Sequence, residues 1–99
     1  MPRGYSASDK RRYMKMFFEG AAPEFCESVI GRLMLPSWNR ELLFRRYVRC
    51  ESDKQIANTI CTRPLSKDHI NKEIAKSLEM AYDALKIIQQ QVWCENGKS

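Results

Sequence analysis

Between Pro64 and Gly97 this 99-residue chain has neither proline nor glycine, and its apolar residues there recur at helical spacing. Ile74, Leu78, Ala81, Leu85, Ile88 and Val92 step by 4, 3, 4, 3 and 4, a heptad seam of close to three repeats. One long helix is therefore expected, capped by Ser66 and unbroken until Asn96-Gly97. Asp68 stands favourably against the positive end of its dipole. The seam has two readings. It packs back on the first two helices, or its distal part, Leu85, Ile88 and Val92, serves oligomerisation by pairing with a second copy.

Upstream the periodicity stays helical, and no segment alternates strictly as a half-buried strand would. The expected fold is all-α, about five helices, in a single domain over residues 1–99. Residues 1–36 supply a basic arm and two helices, 37–80 a helix-turn-helix core, and 81–99 a helical extension and tail. Ser6 or Ser8 caps the first helix, which runs to about Glu19 before Gly20 stops it. Its apolar side is Tyr13, Met14, Met16, Phe17 and Phe18. Pro23 suits the first turn of a second helix with the stripe Phe25, Cys26, Val29, Ile30, Leu33 and Met34, closed by Pro36. Ser37 or Asn39 starts a third, offering Leu42, Leu43, Phe44, Tyr47 and Val48 to the core. Ser52 and Gln55 form a capping box for a short fourth helix from Asp53 to about Ile60. Residues 61–65, with Pro64, make a turn.

Charge narrows the partners. Lys+Arg outnumber Asp+Glu 17 to 12, a formal +5 that favours a polyanion. The excess is uneven: Arg3, Lys10, Arg11, Arg12 and Lys15 crowd the start, and Arg40, Arg45, Arg46 and Arg49 form a second cluster. No apolar run approaches the roughly 20 residues that span a bilayer. The opening MPRGYSASDKRRY also lacks the apolar core of a secretory signal, so a cytoplasmic chain without membrane contact is expected. The four cysteines form no Cys-x-x-Cys pair and only His69 could join them. They read as small buried hydrophobes rather than metal ligands. Scattered carboxylates, one histidine without a nucleophile beside it and no Gly-rich phosphate loop argue against an enzyme or a bound cofactor.

The long helix has two faces. Ile70, Ile74 and Leu78 step by four and should turn inward, leaving Lys67, Asp68, Asn71, Lys72 and Lys76 outward. Those types can read base edges in a major groove: Asn pairs with adenine, Lys donates to guanine, Asp accepts from cytosine. Lys67, Asp68, Asn71 and Lys72 are accordingly the expected base-contacting residues. Arg46, Arg49, Ser52, Arg63, Ser66 and Lys76, with Lys10, Arg11 and Arg12 of the arm, are the expected backbone contacts. His69, beside Ile70, reads as a partly buried packing or phosphate residue.

At this point the residues resemble a known family. RELLFRRYVRCESDKQIA, residues 40–57, looks like the opening of region 4 of bacterial sigma-70-type factors, with Arg40, Glu41, Leu42, Leu43, Arg46, Tyr47, Ser52, Ile56 and Ala57 in register. LSKDHI at 65–70 stands where that family begins its recognition helix, and AKSL at 75–78 resembles its AKAL. About forty of the 99 residues are covered. Thr62, Arg63 and Pro64 look like a three-residue insertion in the turn. Glu51 and Asp53 occupy positions the family keeps apolar, which predicts a more solvated junction. Nothing resembles the regions that melt and hold a −10 element.

The resemblance implies a helical module that reads promoter DNA near −35 and touches the flap of RNA polymerase. The expected function is a sequence-specific double-stranded DNA-binding transcriptional regulator of phage or mobile-element type. Two alternatives stand beside it. One is a small phage packaging subunit that assembles a ring through the seam. The other is a protein-interaction module, binding RNA polymerase or a host defence protein through Phe17, Phe18, Trp38 and Trp93.

Overall fold

The long helix is the frame on which the other elements pack. The structure is a computed structural model that describes residues 6–97, with side-chain surroundings through residue 89. Its last helix, α5, spans Lys67–Gly97. At about 1.5 Å per residue it reaches roughly 46 Å, close to the 51 Å long axis of the molecule. Four shorter helices, α1 (Ala7–Glu19), α2 (Pro23–Arg32), α3 (Ser37–Leu43) and α4 (Asp53–Thr59), complete an all-α fold. No strand occurs among the described residues. Helices α1, α3 and α4 pack along α5, and α2 packs on the continuation of α3.

The ends follow from local chemistry. Ser6 Oγ accepts from the Asp9 N–H at 3.2 Å, and Ser66 Oγ from the His69 N–H at 3.0 Å. At α4 the capping box is reciprocal: Ser52 Oγ accepts from the Gln55 N–H, and Gln55 Oε1 from the Ser52 N–H. Gly20 ends α1 at a close approach, since a Cβ there would lie 3.2 Å from the Met16 carbonyl.

Between α2 and α3 the sequence expectation is corrected. α2 ends at Arg32, with Leu33 already extended, and Pro36 is the N-cap of α3 rather than the stop of α2. Pro36 has a fixed φ and no N–H, so it fits a helix entrance as readily as an exit. Neither Ser37 nor Asn39 caps α3 with its side chain. Asn39 is instead buried, and its Nδ2 donates to Ser77 Oγ at 2.9 Å. Beside it Trp38 Nε1 donates to Glu73 Oε1 at 2.9 Å, giving a second polar link between α3 and α5.

α3 does not end cleanly at Leu43. It continues as one π-helical turn, Phe44–Val48, in which the Arg49 N–H donates to the Phe44 carbonyl five residues back. Cys50 then adopts φ 58, and the Glu51 N–H donates to the Arg45 carbonyl. A side chain in that left-handed region costs about 1–2 kcal/mol, here offset by a turn that redirects the chain into α4.

The core joins both ends of the chain. Met14, Phe18, Cys26, Ile30, Leu42, Leu43, Ile56, Ile70, Ile74 and Leu78 are buried. Other apolar candidates lie outside it: Met16, Phe25 and Met34 are exposed, Met34 at 89%. Met16 lies two positions from both buried Met14 and buried Phe18, on the opposite face of α1, and Phe25 adjoins buried Cys26 on a helix whose inward face admits only one of such a pair. Of the cysteines expected to be buried, Cys26 is, and its Sγ–H donates to the Phe18 carbonyl. Cys50 and Cys61 are exposed, and Cys94 lies outside the described side chains. Along the seam Ile74, Leu78 and Ala81 are buried, while Leu85 and Ile88 are half-buried where they meet Phe25, Val29 and Leu33 of the α2 region. Val92 lies outside the described side chains.

Tyr47, in the π-turn, stacks on Phe18 with ring centroids 5.0 Å apart. Burial pushes its phenol from 10.0 up to about 12. The raised value means the neutral phenol stabilises the fold in full below about pH 10, and the contribution fades as pH rises through about 12. In denaturant titrations across that window, wild type should lose about 2–3 kcal/mol more than Tyr47→Phe. Equal losses would remove Tyr47 as the source.

Candidate nucleic-acid interface

α4 and α5 are the two helices of the expected helix-turn-helix. Ile56 and Ala57 of α4 and Ile70 of α5 are all buried, and the Leu65 N–H donates to the Ala57 carbonyl at 2.9 Å. The connection covers residues 60–66, longer than the three or four residues of a compact motif. Thr62, Arg63 and Pro64 form its exposed crest.

The two faces of α5 separate as helical spacing requires. Ile70, Ile74 and Leu78 are buried, while Lys67, Asp68, Asn71, Lys72 and Lys76 are exposed, with Asp68, Lys72 and Lys76 opposite the buried line and Asn71 on its flank. His69 is also exposed, which corrects the expectation of partial burial. It lies off the inward line that Ile70 and Ile74 define, although adjacent in sequence.

Asn71 is not independent of the other elements. Its Nδ2 donates to Asp53 Oδ2 at 3.0 Å, and Asp53 Oδ1 lies 3.4 Å from Arg46 Nε. A base-reading candidate is thus linked through one carboxylate to a phosphate candidate. The solvated junction expected at Glu51 and Asp53 is likewise corrected. Their side chains are only 19% and 16% exposed, because Arg45, Arg46 and Arg49 cover them as ion pairs.

Beside this link α1 and α5 enclose a cleft of about 350 Å³. Arg11, Arg12 and Lys15 of α1 line it together with Arg46, Tyr47, Asp53 and Asn71, above Ile74, Ala75 and Leu78. The π-turn brings Arg46 here, its guanidinium 5.6 Å from the Tyr47 ring centre. Arg11 is partly neutralised by Glu79, 2.6 Å away on α5. Arg12 and Lys15 make no ion pair among the described residues. Lys15 and Asp53 were not singled out from sequence as site residues. The spacing of Arg11 and Lys15, one helical turn apart, was the available signal for the first.

The remaining candidates are dispersed. Arg49 is largely exposed and faces Glu51 at 3.4 Å, and Arg63 is exposed on the turn. Ser52 and Ser66 use their hydroxyl oxygens on helix caps. Lys10 turns to the distal part of α5, where its Nζ lies 2.9 Å from Asp83. That carboxylate raises its pKa chiefly through the hydrogen bond. Asp83 is eleven residues beyond Lys72, roughly 17 Å along the helix, so Lys10 stands apart from the exposed candidates at the start of α5. Of the proposed aromatic anchors, Phe18 is buried, Phe17 and Trp38 are partly buried, and Trp93 lies outside the described side chains.

Among the described residues no group of three or more His, Cys, Asp or Glu could hold a metal ion. No helix there is long and apolar enough to cross a membrane. Comparison with protein-family models, curated proteins and solved structures returned no significant match for this chain.

Proposed function

We propose that this chain is a sequence-specific double-stranded DNA-binding regulator, of the region-4-like kind used by phages and mobile elements. The first turns of α5 would enter the major groove. The observation that carries this reading is the set of exposed residues Lys67, Asp68, Asn71, Lys72 and Lys76, flanked on α1 by Arg12 and Lys15, which have no ion-pair partner among the described residues. Base-edge contacts come from Lys67, Asp68, Asn71 and Lys72, and phosphate contacts from Lys76, Arg12 and Lys15, with Arg63 on the turn. The longer turn would set α5 at a different reach from that of a compact helix-turn-helix.

Selection of bound sequences from random duplexes tests the reading directly. An enriched motif is expected, with affinity falling steeply as salt rises. Each phosphate neutralised contributes a slope of about −0.9 in log–log form, so four contacts give roughly −3.6. A gel shift at low salt with no retention of mixed duplex would overturn the proposal.

A further inference from the structure

The cleft between α1 and α5 has a chemistry that a surface for DNA backbone alone does not require. Contact with a duplex backbone needs cations on an open face. Here Arg12, Lys15 and Arg46 line a concave space whose floor is apolar, formed by Ile74 and Leu78. Its volume of about 350 Å³ lies in the range of small-ligand sites, and charged and polar side chains supply most of its lining. The cations are also available. Arg12 and Lys15 have no ion-pair partner among the described residues, and the 3.4 Å separation of Arg46 from Asp53 is longer than the 2.7–2.9 Å of a strong charge-assisted bond.

We propose that this cleft is a seat for a phosphate group, held by Arg12, Lys15 and Arg46, with Asp53 as the internal anion that competes for Arg46. A phosphate drawing Arg46 away leaves the Asp53 carboxylate to Asn71 alone, so occupancy reaches a residue of the DNA-facing side. The phosphate can belong to a phosphorylated small molecule or to a nucleic-acid backbone. Only the second source rests on the DNA reading.

The test titrates the full chain with AMP, pyrophosphate and, as the phosphate-free control, adenosine, following backbone amides by NMR. Duplex binding is measured in parallel by fluorescence anisotropy. AMP should cause saturable shifts in α1 and at the starts of α4 and α5, and adenosine should not. Arg12→Ala with Lys15→Ala should weaken AMP about tenfold, and Lys15→Ala alone by a smaller factor. Neither side chain has an ion-pair partner among the described residues, so circular dichroism should show an unchanged melt. Asp53→Asn should tighten AMP about fivefold, the weight of one partly exposed ion pair. If AMP and adenosine act alike, or the double variant binds AMP as wild type does, the small-molecule seat is overturned. If small phosphates fail but duplex binding weakens in the double variant and tightens in Asp53→Asn, the seat stands with DNA as its source. If neither occurs, the seat is overturned altogether. AMP bound through the cleft by a chain that retains no duplex at low salt would sustain the seat and sink the DNA reading.

Discussion

Alanine at both Asn71 and Lys72 should lower affinity for a selected duplex by about 2–6 kcal/mol, roughly thirtyfold to twenty-five-thousandfold. Each good base-edge contact contributes about 1–3 kcal/mol of discrimination, and the two residues stand side by side on the exposed face of α5. Asn71 also gives up its bond to Asp53, 3.0 Å long and exposed. The fold should change by no more than about 0.5 kcal/mol, as for other surface positions. Binding to a scrambled duplex should persist, because Arg12, Lys15 and Arg63 remain to neutralise phosphates. Anisotropy titrations of both duplexes at one salt concentration separate these effects. Equal losses on the two would mean that Asn71 and Lys72 contribute charge and shape but do not read sequence.

What could be read in advance divides by the range of the interaction. Caps at Ser6, Ser52 and Ser66 depend on residues three positions apart, so the helix starts they mark were legible from sequence and stand in the structure. The inward line Ile70, Ile74 and Leu78 was legible for the same reason. The π-turn was not: its Tyr47 stacks on Phe18, 29 positions earlier in sequence, a contact that local periodicity does not report. Pairing of Asn39 with Ser77 spans 38 residues and turned a candidate cap into a buried contact. The exposed face of α5 followed from periodicity alone. The cleft did not, since it needs α1 beside α5 and a π-turn to bring Arg46 between them. Asp53 shows the limit most clearly. A helix-start carboxylate in sequence, it links Arg46 to Asn71 in the fold.

Phe18→Ala should destabilise the fold by about 3–5 kcal/mol, the usual cost of removing a buried aromatic ring. Phe18 is only 2% exposed, stacks on Tyr47 at 5.0 Å and meets Phe17 edge-on at 5.5 Å. A chain of this size holds about 5–15 kcal/mol in total, so the variant should sit near its unfolding threshold. Phe25→Ala is the internal comparison: its ring is 52% exposed, and its loss should stay below about 1 kcal/mol. Urea denaturation should show a lowered midpoint for Phe18→Ala with little change in slope. Losses of equal size at both positions would mean that α1 does not pack as described. The consequence reaches function through the π-turn. Tyr47 seats on Phe18, and Arg46 is the residue just before it in that turn. Phe18→Leu, which keeps most of the volume but no ring to stack on, should therefore remain folded and still weaken binding that depends on Arg46. If Phe18→Leu binds as wild type does, the π-turn does not depend on that stack to hold Arg46 in place.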